Sequence, residues 1–237
     1  MRVTDLGTLA YRAAWDLQEQ AHARVLAGGE EELLLVEHPP VVTLGRRAEA
    51  ARQNLVVGAE GLAKLGVELV ESDRGGDVTF HGHGQVVAYP IVRLNDHRLS
   101  VGGYVRALEA GVIAALADLG IAADRDPGAV GVWTHDPAAG QLAKVCAIGV
   151  RIRRGVSLHG VALNVTTDLE YFNLIVPCGL AGRPVTSVAK LLGPAAPPID
   201  RVRQVLAGRL TEALSRGGEN TEPPRHGGGP EVGAGVS

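Results

Sequence analysis

The chain has 237 residues, of which 46% are hydrophobic, and a formal net charge of −3. Such a length and apolar content allow a substantial core in one large domain or in two intimate lobes. The weak negative charge and the lack of a dense basic stripe argue against a nucleic-acid function. Charges occur throughout the N-terminal segment and no apolar run is long enough to span a membrane, so the sequence predicts a cytoplasmic protein with no membrane association.

Hydrophobic periodicity and turn residues predict the elements of the first half. An amphipathic helix is expected over Tyr11–Leu26, because apolar residues recur there at helical spacing and two glycines follow. The elements that come next are shorter, namely strands at 33–37 and 41–44, a helix near 60–64, and strands at 67–71, 78–81 and 85–92.

The second half is predicted to contain two longer helices. Ser100 is the expected N-cap of a helix that ends at Gly120, and a last helix is expected over residues 199–214. Between them the sequence predicts strands at 131–134, 144–152 and 156–165, then a short helical turn capped by Asp168. Residues 1–216 are therefore expected to form a single catalytic domain, and residues 217–237, which have almost no hydrophobic anchor, a disordered tail.

Cys178 is one of only two cysteines and is the leading candidate nucleophile. It stands between Pro177 and Gly179, which indicates a turn whose open backbone a substrate carbonyl can approach. The other cysteine, Cys146, lies in an apolar run and is predicted to be a buried small hydrophobe. Neither a disulfide framework nor a zinc site is indicated by two cysteines with this spacing.

Lysine is rare in this chain. Only Lys64, Lys144 and Lys190 are found among the 23 basic residues, which leaves 20 arginines. Since arginine keeps its proton whereas a desolvated lysine can release and regain one, Lys144, at the start of a strand that looks buried, is a candidate acid/base. The alternative is an ordinary strand-edge lysine whose ammonium reaches solvent.

The segment from Arg74 to Gln85 is rich in glycine and contains two histidines. Glycines let the backbone approach a ligand closely and present its N–H groups. The segment lacks the Gly-Lys-Ser/Thr ending of a P-loop and leads into a strand, so it does not fit a phosphate-binding motif. His81 and His83 could chelate a metal, but no carboxylate or cysteine stands at useful spacing, and no metal site is predicted.

Three segments occur in the order RGGDVTFHGHGQVVAYP, AKVCAIGVRIRRGVSLHGVALNV and DLEYFNLIVPCGL. Together they resemble the bacterial octanoyltransferases, which move an octanoyl chain from acyl carrier protein onto lipoyl domains. The resemblance covers roughly residues 33–191. It implies the α/β (α+β) fold shared with the lipoate and biotin ligases, built from a larger mixed β-sheet and a smaller sheet, both flanked by helices.

The resemblance also implies roles for individual residues. Cys178 would be the acyl-thioester nucleophile, and Lys144 would favour its thiolate and shuttle the proton. His81 and His159 could each orient Lys144 or the substrate carbonyl, or could be satisfied structural histidines. His83 stands where the family usually has proline. The residues assigned to the acyl pocket are Arg74, Gly75, Gly76, Asp77, Val78, Thr79, Phe80, His81, Ala147, Ile148, Gly149, Gly160, Val161 and Ala162.

The implied reaction needs no ATP, metal or redox cofactor, because the substrate arrives activated as a thioester. The implied partners are octanoyl-acyl carrier protein and the apo lipoyl domains of 2-oxoacid dehydrogenase complexes and of the glycine cleavage H protein. Two alternatives remain open. An ATP-dependent lipoate or biotin ligase on the same fold would leave Cys178 idle, and a non-catalytic acyl or acyl-carrier binding module would need neither Cys178 nor Lys144.

Overall fold

The computed structural model describes residues 1–46, 48–176 and 183–217. Its helices are α1 (Tyr11–Leu26), α2 (Ala48–Arg52), α3 (Gly58–Lys64), α4 (Val101–Asp118), α5 (Val188–Leu192) and α6 (Ile199–Ser215), with two 3-10 turns at Leu169–Leu174 and Gly193–Ala195. Its strands are β1 (Arg2–Thr8), β2 (Glu32–Glu37), β3 (Val41–Leu44), β4 (Glu68–Glu71), β5 (Val78–His81), β6 (Gln85–Ile91), β7 (Asp124–Asp126), β8 (Ala129–Asp136), β9 (Gln141–Arg153) and β10 (Val156–Asn164). None of these helices is long and apolar enough to cross a membrane.

Two sheets organise the fold. The larger has seven strands in the order β1-β2-β6-β10-β9-β8-β7, and the smaller has three in the order β4-β3-β5. Each sheet contains one parallel pair, β1 with β2 and β3 with β4, and its other pairs are antiparallel. The prediction of a larger mixed sheet with a smaller one is confirmed.

Both faces of the larger sheet are covered by helices. Strand side chains alternate in direction, so Leu33 and Leu35 of β2 pack in the cluster formed with α4 and α6, whereas Leu34 and Val36 pack in the cluster formed with α1. This arrangement explains why β2 reads as a continuous apolar run. At the start of α4 the predicted cap is confirmed, since the Ser100 hydroxyl oxygen accepts from the backbone N–H of Gly103 at 3.0 Å.

Several details differ from the sequence predictions. The elements β1, α2, β7 and α5 were not predicted, and β9 begins three residues before Lys144, which was expected at the start of that strand. The predicted tail lies outside the described residues except for Gly217.

Candidate active site

A cavity of about 280 Å³ lies where the loop before β5 meets strands β6, β9 and β10. All the predicted pocket residues line it except Gly75 and Phe80, and so do Lys144 and His159. Further lining residues that the sequence did not indicate include Tyr11, Gln85, Tyr89 and Asn164. One cavity therefore gathers side chains from three separate sequence motifs, although their roles in binding an acyl chain stay predictions.

Strand pairing forms the floor of this cavity. In the antiparallel β9–β10 register Ala147 lies opposite Ala162, and Gly149 lies opposite Gly160. Gly160 also approaches β6 so closely that a Cβ there would lie 2.1 Å from the Ala88 carbonyl oxygen. A side chain at position 160 would thus force the paired strands apart, which explains the glycine.

Gly75 has a different role from the one predicted. Its N–H donates to the Val150 carbonyl at 2.9 Å, and a Cβ on Gly75 would lie 2.9 Å from that same oxygen. Across this contact, a Cβ on Gly149 would lie 2.9 Å from the Gly75 carbonyl oxygen. The glycines thus let the loop lie directly on β9, and Gly75 shapes the cavity wall without lining it.

Phe80 points away from the cavity. It is 1% exposed and packs in the core around the smaller sheet. Its ring stacks on Tyr171 at 4.7 Å and meets Phe172 edge-on. Because side chains alternate along β5, Thr79 and His81 line the cavity while Phe80 lies on the opposite face.

Arg74 braces the cavity loop. Its side chain is buried, and its guanidinium donates to the Thr43 hydroxyl at 3.0 Å and the Thr43 carbonyl at 2.6 Å. It also donates to the carbonyls of Gly75 at 2.9 Å and Asp77 at 3.1 Å. The rigid fork of an arginine can reach all these acceptors at once, which fixes the path of the loop against β3.

Burial keeps two histidines beside the cavity, His81 and His38, uncharged near neutral pH. His81 donates from Nδ1 to the Gln85 side-chain oxygen at 2.7 Å and stacks on Tyr11, and burial lowers the pKa of His81 to about 3. His38 donates from Nδ1 to the Leu9 carbonyl and accepts from the Tyr89 hydroxyl at Nε2, and burial lowers the pKa of His38 to about 4. Uncharged rings of this kind suit a wall that faces an apolar ligand.

His159 is held by a carboxylate. Its Nε2 bonds Asp73 at 2.7 Å, and its backbone lies in the left-handed region at φ 59°. Burial lowers the pKa of His159 although Asp73 acts to raise it. His159 pairs with Val150, six residues along β9 from Lys144, which is roughly 20 Å at about 3.3 Å per residue. This distance rules out a direct contact with Lys144 and favours the structural interpretation of His159.

Lys144 lies at the other end of the cavity floor. Its amine donates to the Val130 carbonyl at 3.0 Å and lies 4.8 Å from the centre of the Trp133 ring. Its backbone pairs with β8 on one side and forms an isolated bridge with Val185 on the other. Both sides of the Lys144 backbone are thus paired, and its half-buried side chain lines the cavity while the amine stays within reach of solvent. The acid/base role of Lys144 therefore stays a prediction.

A chain of hydrogen bonds connects the two ends of the cavity. Gln85, which accepts from His81, donates to the Asn164 side-chain oxygen at 2.9 Å, and Asn164 donates to the Thr186 carbonyl at 3.1 Å. The Thr186 N–H then donates to the backbone carbonyl of Lys144 at 2.9 Å. Sequence reasoning missed Gln85, Asn164 and Thr186; the available signal was two polar side chains at the ends of apolar strands.

Residues 177–182, including the predicted nucleophile Cys178 and its neighbour Gly179, lie outside the described residues. On either side of them, Phe172 and Val185 line the cavity. Cys178 as the nucleophile therefore stays a prediction.

Cys146 and His83 both lie in the part of the chain that the structure describes. Cys146 is fully buried and burial raises the pKa of its thiol to about 12, which confirms it as a packing residue. His83, at the usual proline position, is exposed and lies 3.2 Å from the Glu37 carboxylate. Glu37 also accepts from the Gly84 N–H, so the extra imidazole lies at the outer end of the loop.

A family model and curated relatives that resemble this chain point to the same family of proteins, and a solved structure shares its fold. Residues 10–211 match the family model of the lipoyl protein ligase A/B catalytic domain. The chain is 48% identical over 195 residues to an octanoyltransferase of Roseiflexus sp. (strain RS-1), covering 81% of this chain and 79% of that one. It is 47% identical over 212 residues to an octanoyltransferase of Chloroflexus aurantiacus (strain ATCC 29366 / DSM 635 / J-10-fl), covering 89% and 92%. The crystal structure of lipoate-protein ligase A bound with ATP has a similar fold, with a TM-score of 0.74, 19% identity, and coverage of 90% and 85%.

Proposed function

Since this chain belongs to the lipoyl protein ligase A/B catalytic-domain family and is an acyltransferase of the octanoyltransferase type, we propose that Cys178 and Lys144 carry its reaction. The donor is octanoyl-acyl carrier protein, and the acceptor is a lysine ε-amine on an apo lipoyl domain. The acceptor proteins are 2-oxoacid dehydrogenase complexes and the glycine cleavage H protein, and the reaction takes place in the cytoplasm.

The first step moves the acyl group onto the enzyme. A free thiol has a reference pKa of about 8.5, and a nearby ammonium favours its thiolate. The Cys178 thiolate attacks the thioester carbonyl, the bond from that carbonyl to the carrier's sulfur breaks, and the departing thiolate takes a proton from Lys144. One thioester replaces another, so this step is close to balanced and leaves Lys144 neutral.

The second step forms the amide. The acceptor lysine amine attacks the acyl-enzyme carbonyl, the bond to Cys178 breaks, and neutral Lys144 accepts the proton that the amine releases. An amide is more stable than a thioester, so this step drives the cycle forward. The enzyme returns to its starting state with a Cys178 thiolate beside a protonated Lys144.

One observation in particular supports this proposal: the cavity that gathers the predicted acyl-pocket residues also has the Lys144 amine at one end. The floor beyond Lys144 is made of Ala147, Ile148 and their partners on β10, and the neighbouring histidines are neutral. A floor of small and aliphatic residues that leads to the Lys144 amine fits a medium-length acyl chain whose reacting carbonyl lies at the lysine end.

The test is to mix the protein with octanoyl-acyl carrier protein without ATP and to record its intact mass. We expect one octanoyl group, which peptide mapping assigns to Cys178. Cys178→Ser should take up none as a thioester, whereas the matched control Cys146→Ala should be acylated normally. An unmodified wild-type protein, or acylation that requires ATP and free octanoate, would refute the proposal, and the second result would favour the ligase alternative.

A further inference from the structure

Trp133 is contacted by two cations. The Lys144 amine lies 4.8 Å from the centre of its ring, and the Arg183 guanidinium carbon lies 3.8 Å from it. The indole is 1% exposed. Cations over an aromatic face are attracted to its electron-rich surface, and the attraction strengthens when the site is desolvated. A buried tryptophan therefore lies against the amine that the proposed reaction uses.

The local backbone is shaped to allow this contact. The β8–β9 register shifts between Val132 and Trp133, which is a bulge that redirects a side chain. Gly131, just before the bulge, has φ 128°, and a Cβ there would lie 3.2 Å from Cε of Lys144 and 2.7 Å from the Cys146 carbonyl oxygen. The lysine stem thus passes closely over a residue without a side chain on its way to the ring.

Trp133 also acts on Lys144 through the preceding turn. The indole N–H donates to the Ala129 carbonyl at 3.1 Å. The carbonyl of the next residue, Val130, is the one that accepts from the Lys144 amine at 3.0 Å. The ring therefore positions the amine by direct contact and holds the peptide that accepts its hydrogen bond.

Arg183 and Asp126 complete the arrangement. Arg183 donates to the Asp126 carboxylate at 2.5 Å, and this bond lowers the pKa of Asp126. Asp126 also accepts from the Gly128 N–H at 2.8 Å, which stabilises the turn that leads to Ala129 and Val130. Because the carboxylate compensates the guanidinium charge, Arg183 can stack on the ring that carries Lys144 with little repulsion between the two cations.

We propose that Trp133, supported by Arg183 and Asp126, is a positioning residue that fixes the Lys144 amine at the end of the cavity. This inference rests on the proposed function for its kinetic consequence but not for its geometry. Proton transfer requires hydrogen-bond distances, so an amine that is free to move would lower kcat and leave substrate binding unchanged.

The geometric test uses the rarity of lysine. Reductive ¹³C-methylation labels Lys64, Lys144, Lys190 and the N-terminus, and the Lys144→Arg variant assigns the Lys144 signal. An amine over an indole face should give an upfield-shifted signal in wild-type protein. That shift should remain largely in Trp133→Phe and disappear in Trp133→Leu. A Lys144 signal with no upfield shift in the folded wild type would overturn the proposal.

The kinetic test uses the octanoyl-transfer assay. For Trp133→Leu we expect kcat to fall about 10- to 100-fold with KM for octanoyl-acyl carrier protein almost unchanged, and for Trp133→Phe we expect most of kcat to return. Because Trp133 is buried, Arg183→Gln serves as the variant that retains the fold, with a smaller loss of kcat. Its matched control is Arg209→Gln, which removes an ion-paired arginine on α6 and should leave kcat unchanged.

The two hypotheses fail in different ways. If wild-type protein transfers no octanoyl group but shows the shifted Lys144 signal, the proposed function fails and the positioning by Trp133 stands. If wild type is active but folded Trp133→Leu and Arg183→Gln have normal kcat, the positioning role is wrong and the proposed function stands. A rise in KM with unchanged kcat would also overturn it, because that result indicates a binding role.

Discussion

Arg74→Met tests whether the cavity loop is braced by a single side chain. Methionine retains an unbranched stem but removes the guanidinium, which donates two hydrogen bonds to Thr43 and one each to the carbonyls of Gly75 and Asp77. Three carbonyls then lose this donor in a buried setting, and each loss costs about 1–3 kcal/mol. Part of this destabilisation is offset because the variant no longer has a guanidinium that must be desolvated on folding.

We therefore expect the free energy of unfolding to fall by about 3 kcal/mol, which at about 2–3 kcal/mol/M lowers the urea midpoint by about 1 M. The urea midpoint of Arg74→Lys should lie between those of the wild type and Arg74→Met, since one ammonium cannot reach acceptors on both sides of the loop. Urea unfolding followed by circular dichroism measures the shift, and the transfer assay should show a raised KM because the cavity wall is displaced.

Arg209→Met is the matched control. Arg209 donates three charge-assisted hydrogen bonds to Asp118 and Glu212, but its side chain is 37% exposed, far more than that of Arg74. Exposed ion pairs contribute little to stability, so its urea midpoint should stay near that of the unaltered protein. Equal midpoints for Arg74→Met and Arg209→Met would refute the reasoning, because burial would then make no difference.

Three further predictions concern the titratable groups. Lys144→Met should reduce octanoyl transfer about 10²- to 10⁴-fold, and Lys144→Arg should not restore it, because arginine does not release its proton; an active arginine variant would contradict an acid/base role. Iodoacetamide at pH 8 should label Cys178 but not Cys146 in folded protein, since burial raises the pKa of Cys146 to about 12. After unfolding it should label both cysteines, and mass spectrometry measures the labelling in each case. Burial lowers the pKa of His38 to about 4 and of His81 to about 3, from 6.5, so the unfolded chain binds more protons between these values. The free energy of unfolding should therefore fall as the pH drops below about 6.5, with a smaller slope in His38→Gln, and a pH-independent stability would argue against neutral buried histidines.

Elements governed by local sequence could be predicted well. The α1 helix has the predicted bounds, and Ser100 caps α4 as expected, because periodicity and capping involve only neighbouring residues. The β1 strand was missed since its residues are mostly exposed and show no clear alternation. It is held by parallel pairing with β2, which a local pattern does not encode.

In the candidate site, too, some residues could be predicted from the sequence and others could not. Lys144 could be singled out from composition, because lysine is rare in this chain. Its partner Trp133 could not, since their contact depends on the pairing of β8 with β9, whose register shifts at this point. Gln85 and Asn164 bond each other across 79 positions, so only the folded sheet shows the connection. The direction of Phe80, by contrast, follows from simple alternation along β5 and could have been predicted.

The contact between Gly75 and Gly149 also has a consequence for ligand selectivity. Backbone rests on backbone there, and neither glycine has a side chain that could change rotamer to admit a larger group. A surface that is already ordered loses little conformational entropy when a ligand enters, and it adapts little to ligands of different length. Each methylene that gains or loses contact with such a wall should change the binding affinity by its full transfer free energy of about 0.8 kcal/mol, or about fourfold.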